Sequence, residues 1–511
     1  MNRLSRRAFS QRCLSSLGAV HVLAGTGTVC GRAAELGKRP LLGKVPPRSA
    51  KSIAASPLGI GFETLDRKMF LPERTYEPLA RLGVKWARVQ TGWCRCETQQ
   101  GRYDFAWLDA IVDSLLRIGV QPWFNVGYGN RLYTPDAPND FAVGWVPMRT
   151  AQERKAWVCF VRALAEHFAA RVRHWEIWNE PNISGFWKPQ QPSPAGYVDL
   201  VKLTAPEIRA RVPGGILIGG ALSGGPSKAK SPYLSGCLEL GLADHVDRIS
   251  YHPYTLIPET GYAAGIAEWR EMLARHNPRV ALWQGECGCP STADGVGALS
   301  KHAWNESRQA RWLVRRTIND LRLKVEHISW YNVADQVGYA LGFGKPKTAP
   351  TNLGEGTMQT ARTTNAHFGL LRVPDYSPKP SYFAYQTLCA LFDAQTETAE
   401  ATMQFAGDFP TGEPAMAVDQ IEQAAFARGG CPIAAYWLPA DVHQDMPART
   451  VDLTLAVKPG LALRAPVLVD PLSGEVFELE GKQSGRQWQF TALPLTDYPM
   501  LVTDRAVALA R

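Results

Sequence analysis

The chain has 511 residues, of which 45 % are apolar and 20 % are charged; the composition excludes global disorder, and the length allows two or three domains. The formal net charge is +9, but residues 1–39 carry seven Lys and Arg side chains against one acid, Glu35. The rest of the chain is therefore close to neutral and lacks the basic stripe typical of nucleic-acid binding.

The first 39 residues indicate an export signal. Arg6-Arg7 precede a mildly apolar run, Cys13–Val29, that is rich in Gly, Ala and Ser, and this pattern is similar to a twin-arginine signal. An ordinary Sec signal and a basic start without a targeting function are the alternatives. Cys30 follows a poor lipobox, so a lipid anchor is not favoured. We expect a periplasmic or extracellular protein with no membrane span after signal removal.

After a Pro-rich linker at 40–56, one unit recurs along the chain: an amphipathic helix, a Gly that ends it, and a short apolar strand. Strands are predicted to start near residues 58, 84, 120, 173, 215, 248, 280 and 326. Eight strands alternating with helices over 57–392, the last helix at Pro380–Leu391, predict a (β/α)8 TIM barrel. A doubly wound sheet is the alternative, but no Gly-rich phosphate loop follows the first strand.

The pattern changes near residue 393. Short alternating runs such as Val451–Leu455 and Val467–Asp470 are separated by turn residues. This pattern predicts a β-sandwich domain over 393–511, to which residues 40–56 could add.

Two glutamates stand at strand ends. Glu180 ends the fourth barrel strand within Trp178–Asn182, and Glu286 ends the seventh within Trp283–Gly288. These strand ends lie on opposite sides of an eight-stranded mouth, where a barrel carries its active site. A poorly solvated carboxyl group suits proton donation, an ionised one suits nucleophilic attack, and a pair across a cleft suits glycosidic bond cleavage. Either glutamate alone is more often a salt-bridge partner.

The segment His174–Asn182 reads His-Trp-Glu-Ile-Trp-Asn-Glu-Pro-Asn. Together with a Glu after strand seven, it resembles the signature of clan A of the retaining glycoside hydrolases. Within the clan, family 39 is most similar, because its acid/base segment resembles this one and its barrel is followed by a β-sandwich. Trp93–Asp109 also resembles the clan's stretch between strands two and three. The resemblance covers residues 57–390.

The resemblance implies a role for each matching residue. Glu180 would be the general acid/base, and Glu286 would be the nucleophile. Asn179 would hydrogen-bond the sugar 2-hydroxyl group. Arg88, on the inward face of the second strand, would keep Glu286 ionised; a bridge inside the barrel is the structural alternative for this arginine.

Three more residues follow from the same resemblance. His252 and Tyr254, after the sixth strand, match the clan's His-x-Tyr, so that Tyr254 would donate a hydrogen bond to Glu286. Trp330, ending the eighth strand, would stack under the sugar. A satisfied core histidine is the alternative for His252, and a packing role is the alternative for Trp330. We expect no cofactor and no metal.

Two Cys-x-Cys pairs follow barrel strands. Cys94 and Cys96 come after the second strand, and Cys287 and Cys289 come after the seventh. In an exported protein, a disulfide between the two loops is the favoured expectation. Free thiols and a zinc site with four cysteine ligands are the alternatives.

The sequence therefore predicts an exported retaining glycoside hydrolase that cleaves O-glycosidic bonds of a poly- or oligosaccharide by double displacement. The rival interpretations are a carbohydrate-binding barrel without catalysis and a transglycosylase. The sugar, the linkage, exo or endo action and the oligomeric state stay open.

Overall fold

The computed structural model describes Leu36 and residues 38–226, 231–339, 365–407 and 418–510. The predicted twin-arginine segment, with Arg6-Arg7, lies outside the described residues. Within the part that is described, no helix combines the length and the apolar character that crossing a bilayer requires.

Eight parallel strands form a closed barrel. Strands are numbered here in chain order, beginning with β1 (Leu41–Lys44), which lies outside the barrel. The barrel strands are β2 (Leu58–Gly61), β3 (Trp86–Gln90), β4 (Gln121–Val126), β5 (His174–Ile177), β6 (Ile216–Ser223), β7 (Arg248–His252), β8 (Ala281–Cys287) and β9 (His327–Trp330). Strand β9 pairs with β2 to close the ring. The predicted TIM barrel is confirmed, and the doubly wound alternative is excluded.

Helices cover the outside of the barrel and connect its strands. They are α1 (Tyr76–Leu82), α2 (Trp93–Cys96), α3 (Ala106–Arg117), α4 (Ala151–Phe168), α5 (Pro194–Arg211), α6 (Pro232–Glu239), α7 (Tyr262–His276), α8 (Glu306–Arg322) and α9 (Pro380–Leu391). Helix α4 shows why such segments begin where they do. The Thr150 side chain caps the helix by accepting from the N–H of Glu153, and the Glu153 carboxylate accepts from the N–H of Arg149, the residue before the cap.

Aromatic side chains fill the barrel near the amino-terminal ends of its strands, in a layer that we call the barrel floor. Trp86, Trp123 and Trp283 point inward from three strands and meet the rings of His174 and His327, with centroids 4.6–5.8 Å apart for the histidine contacts. Burial lowers the pKa of His327 to about 3 and that of His174 to about 4. This packed floor leaves the carboxyl ends of the strands as the place for a site.

Residues 396–508 form the second domain. Its strands are β10 (Thr396–Thr398), β11 (Thr402–Ala406), β12 (Glu422–Arg428), β13 (Cys431–Trp437), β14 (Arg449–Ala456), β15 (Pro466–Asp470), β16 (Glu475–Glu478), β17 (Lys482–Ser484), β18 (Gln487–Leu495) and β19 (Met500–Asp504), followed by the short helix α10 (Arg505–Ala508). They form two antiparallel sheets, ordered β1-β16-β15-β19-β13-β12-β10 and β11-β14-β18-β17. The predicted β-sandwich is confirmed, and strand β1 within residues 40–56 adds to it through pairing with β16.

The two domains are joined by buried polar contacts. Arg315 of α8 binds Glu259 at 2.6 Å, and the indole N–H of Trp437 in β13 donates to the same carboxylate at 2.8 Å. Because these groups satisfy one another away from water, the sandwich is held against the barrel by specific contacts as well as by apolar packing.

Candidate active site

A break in regular strand geometry turns Glu180 toward the mouth. Trp178 and Glu180 have φ values of 69° and 46°, which are uncommon for residues other than Gly. The ring of Trp178 packs outward against Trp157 of α4, with centroids 5.8 Å apart. The N–H of Glu180 donates to the carbonyl oxygen of Ala221 at 2.8 Å. Backbone conformations of this kind cluster at functional sites.

A second irregularity, in the pairing of β8 with β9, turns the side chain of Glu286 toward the barrel interior. The register between β8 and β9 shifts between Gln284 and Cys287, so that Gly285 and Glu286 both face the interior. A Cβ at Gly285 would lie 3.3 Å from Oε1 of Glu176 and 3.6 Å from Nε2 of His252. A side chain at this position would therefore crowd the groups below the mouth.

The two glutamates face each other with different partners. Glu286 accepts from Arg88 through Oε2 and from the hydroxyl group of Tyr254 through Oε1, both at 2.7 Å. Oε1 of Glu180 lies 2.9 Å from Nδ1 of His252, and this nitrogen is 3.8 Å from Oε2 of Glu286. The structure thus brings the predicted pair and three of the predicted neighbours together.

Ligand atoms of Glu180, His252 and Glu286 all lie within 4.8 Å of one another. In the described ranges this is the one set of three metal-ligand side chains that gathers so closely. Arg88 and Tyr254 already donate to the two oxygens of Glu286. Hydrogen bonds from the protein thus already occupy both oxygens of Glu286. We therefore assign no metal to these three side chains.

Arg88 organises the base of the site. Its side chain is fully buried and donates to Glu63, Glu176 and Glu286 at 2.7–2.9 Å, and to the side-chain oxygen of Asn179 at 2.8 Å. Burial works to lower the pKa of Arg88, but Glu176, Glu63 and Glu286 outweigh it and raise this pKa well above its usual value. The alternative of a bridge inside the barrel thus holds as well, because Arg88 contacts the buried Glu176.

The pKa of Glu286 lies below its ordinary value. Burial alone would raise it, but the charges of His252 and Arg88 and the hydrogen bond from Tyr254 act more strongly in the other direction. Since a lowered pKa keeps a carboxylate ionised, Glu286 is suited to attack an electrophilic carbon.

Sequence reasoning missed Glu63 and Glu176. Glu63 lies two residues beyond the end of β2, and burial raises its pKa well above the ordinary value. Glu176, in β5, accepts from Arg88, Asn125 and Ser250. Glu176 was detectable, because it shares the inward face of β5 with His174. Nothing in the sequence beyond its place after the first strand distinguishes Glu63.

Trp330 does not lie at the mouth of the barrel, where it was expected to stack under the sugar. Its ring packs edge-on against Trp312 of α8 with centroids 6.0 Å apart, and its indole N–H donates to the carbonyl oxygen of Phe368 at 3.1 Å. The reason is the alternation of a strand: His327 points into the barrel floor, so Trp330 points out toward the helices. The next residue, Tyr331, faces the mouth and packs against Phe368.

The cysteine expectation is also corrected. All eight cysteines of the described residues are free thiols. The Sγ of Cys96 lies 3.2 Å from the carbonyl oxygen of Thr91, and that of Cys287 lies 3.2 Å from the carbonyl oxygen of Pro253. Strands β2 and β9 separate β3 from β8, so the two Cys-x-Cys pairs occupy different sectors of the barrel. No four-cysteine group gathers in this described region.

The chain resembles known proteins in sequence and in structure. The sequence model of the family described as glycosyl hydrolases family 39 matches residues 84–279. A β-xylosidase from Geobacillus stearothermophilus is 30 % identical over 161 residues, and this match spans 30 % of the chain and only 31 % of that protein.

Solved structures extend the likeness in fold. A family 39 glycoside hydrolase from Bacteroides cellulosilyticus WH2 has a TM-score of 0.63 and 20 % identity, covering 90 % of this chain and 83 % of that one. A family 39 β-xylosidase from Caulobacter crescentus has a TM-score of 0.56 and 18 % identity, covering 91 % and 98 %. The predicted resemblance is confirmed, and the shared fold includes both domains.

Proposed function

We propose, from the match of residues 84–279 to the glycosyl hydrolases of family 39 and from the likeness to a β-xylosidase, that the chain is a retaining glycosidase. It would cleave O-glycosidic bonds of an oligo- or polysaccharide by double displacement, with Glu286 as nucleophile and Glu180 as general acid/base. The observation that carries the proposal is the spacing of the pair: their carboxylate oxygens approach within 4.8 Å. Retaining enzymes hold the two carboxyl groups about 5–5.5 Å apart, and inverting enzymes about 6.5–9.5 Å apart.

The first displacement begins with the ionised Glu286. Its oxygen attacks the anomeric carbon while Glu180 gives a proton to the departing glycosidic oxygen, which leaves a glycosyl ester on Glu286. Arg88 and Tyr254 hold the attacking carboxylate in one orientation. Such positioning lowers the entropic part of the barrier.

The second displacement reverses the roles. Glu180, now ionised, takes a proton from water, and the water oxygen attacks the anomeric carbon and releases Glu286. His252 contacts Glu180 at 2.9 Å and orients it for both proton transfers. Asn179, held by Arg88, would bind the sugar 2-hydroxyl group.

The test follows the first-formed sugar by proton NMR. Aryl β-xyloside comes first in the substrate panel, because the curated relative is a β-xylosidase, and other aryl glycosides and wall polysaccharides follow. Retention of the anomeric configuration is expected, with Glu286→Ala inactive on every substrate. An inverted first product would overturn the assignment of Glu286. Sugar binding without turnover would favour the non-catalytic alternative, and products longer than the substrate would favour a transglycosylase.

Export by the twin-arginine route belongs to the same proposal. Its support is the Arg6-Arg7 pair ahead of the mildly apolar run Cys13–Val29. Replacing both arginines with lysine should block export of the folded protein and leave its activity in the cytoplasm intact. Undiminished export of this double variant would contradict the twin-arginine route.

A further inference from the structure

Three carboxyl groups surround one guanidinium at the base of the mouth. Oε2 of Glu176 lies 2.6 Å from Nη2 of Arg88, and Nη1 lies 2.7 Å from Oε2 of Glu286 and 2.9 Å from Oε1 of Glu63. The carboxyl side chains are 0 %, 12 % and 3 % exposed, in that order. Three ionised carboxylates around one buried cation would leave negative charge that a poorly solvated site does not tolerate.

Two of these groups receive hydrogen bonds on both of their oxygens. Glu286 accepts from Tyr254 on one oxygen and from Arg88 on the other. Glu176 accepts from Ser250 on Oε1 and from Arg88 on Oε2. A carboxylate that receives hydrogen bonds on both oxygens is stabilised in its charged form.

Glu63 is different. It accepts from Nη1 of Arg88 through Oε1, and Oε2 of Glu286 binds the same nitrogen, so that the two carboxyl groups adjoin each other. Two carboxyl groups can share a hydrogen bond only if one carries a proton, because an ionised carboxylate is an acceptor alone. Since both oxygens of Glu286 already receive donors, the proton belongs on Glu63.

We propose that Glu63 is held as a neutral carboxylic acid whose O–H donates to Glu286, which makes Glu63 a positioning residue for the nucleophile. The role as positioning residue rests on the proposed function, whereas the protonation of Glu63 does not. Burial raises the pKa of Glu63 well above its ordinary value; the charge of Arg88 opposes this shift, and the charge of Glu286 adds to it.

The groups that face Glu63 and Glu286 come from several elements of the barrel, and they include Glu180 after β5, within 4.8 Å of Glu286, Tyr128 after β4 and Tyr339 after β9. Arg88 of β3 and Glu176 of β5 flank Glu63, and Tyr331 after β9 lies beside it. His252 of β7 and Tyr254, which follows it, contact the other side of Glu286. Burial raises the pKa of each of these tyrosines, and Glu180 is the proposed general acid, so the ionisation of Glu63 is the further change that would place a negative charge next to the nucleophile. Activity should therefore fall at alkaline pH for a reason that does not involve the general acid.

The first experiment measures the proton directly, and it does not require turnover. The infrared difference between the wild-type protein and Glu63→Gln near neutral pH should contain the C=O stretch of a protonated carboxylic acid. The matched control is Glu259→Gln, because Glu259 is also buried and bound to an arginine but its pKa is lowered by Arg315, which outweighs burial. The control should lose only carboxylate bands. Absence of an acid band at Glu63 would overturn the proposal even if the glycosidase activity is found.

The second experiment separates positioning from folding. Glu63→Gln keeps a neutral donor, so kcat/KM should stay within about threefold of wild type, whereas Glu63→Ala should lose about 10- to 100-fold. With an activated aryl glycoside, the alkaline limb should move to higher pH in Glu63→Gln and stay in place in Glu259→Gln. Equal losses in both Glu63 variants with an unchanged alkaline limb would contradict positioning. If no glycoside is hydrolysed by the wild type, the proposed function fails, and the infrared result still decides the protonation of Glu63.

Discussion

The hydroxyl group of Tyr254 lies 2.7 Å from Oε1 of Glu286, while Arg88 donates to Oε2 of the same carboxylate. Burial raises the pKa of Tyr254 well above its ordinary value, and the negative charge of Glu286 adds to this shift. The tyrosine therefore stays protonated and donates throughout the working pH range. The nucleophile is thus held from both sides by donors that do not titrate near neutral pH.

Tyr254→Phe removes one of these donors. A hydrogen bond to a charged group contributes about 1.5–3 kcal/mol, so kcat/KM should fall roughly 10- to 100-fold. The acidic limb of the pH profile should move to higher pH, because Glu286 loses a group that lowers its pKa. Tyr262→Phe is the matched control: Tyr262 also donates to a buried carboxylate, Asp320, at 2.6 Å, and its loss should affect stability alone. Similar pH profiles for wild type and Tyr254→Phe would contradict this role.

Glu180→Ala should respond to the leaving group. Aryl glycosides with activated leaving groups need little protonation, so their first displacement should be nearly unaffected, whereas poor leaving groups should lose roughly 10²- to 10⁴-fold. Azide should restore turnover of the activated substrates, because a small anion replaces the water that Glu180 can no longer deprotonate. The measurement is kcat/KM against leaving-group pKa. A loss independent of the leaving group would assign Glu180 a structural role.

The barrel floor predicts sensitivity to acid. The pKa values of His327 and His174 are lowered by burial to about 3 and about 4, so the unfolded chain binds these protons first. Their contribution to stability is present above about pH 6.5 and is lost as the pH falls toward the folded-state values. Each histidine should remove about 1.4 kcal/mol of unfolding free energy per pH unit in that window.

Denaturant unfolding at several pH values checks this slope. His327→Gln should flatten it, whereas His276→Gln, at an exposed position at the end of α7, is the control. Equal slopes for the two variants would show that the acid sensitivity arises elsewhere in the chain.

The thiols of Cys287 and Cys289 should react with alkylating agents only after unfolding. Cys287 and Cys289 are buried, and burial raises the pKa of both thiols. Slow alkylation under native conditions and complete alkylation in denaturant without reductant are expected. Mass spectrometry after non-reducing digestion provides the check. A peptide pair joined through Cys96 and Cys287 would contradict the arrangement of free thiols.

The barrel was predictable because each helix–strand unit carries its own signals. Helical stripes, Gly stops and apolar strands are local patterns, and eight of them in sequence suit a closed ring. The same local patterns placed Glu180 and Glu286 at strand ends. Their meeting with Arg88 and Tyr254 followed from the resemblance to the clan, and the contacts of the structure agree with that arrangement.

The misses have physical causes. Trp330 was assigned to the mouth by the resemblance to the clan, but the alternation set by His327 turns it outward and turns Tyr331 inward. Glu63 gave no signal, because its importance depends on Arg88 and Glu286, which are distant in sequence. The disulfide was expected because both cysteine pairs follow barrel strands in a protein predicted to be exported, but two strands separate β3 from β8 and keep the loops in different sectors.

Strand β1 comes before the barrel in sequence, yet Leu41 pairs with Phe477 and Lys44 pairs with Glu475 at the far end of the chain. The whole barrel is thus inserted between neighbouring strands of one sheet. While the chain emerges from the ribosome, β1 stays without this partner until residues 475–477 have been made. Pairing at such long sequence separation is slow, and an unpaired strand edge invites association with other chains. A chain that lacks strand β16 would therefore display an open edge on β1 that pairing with β16 covers.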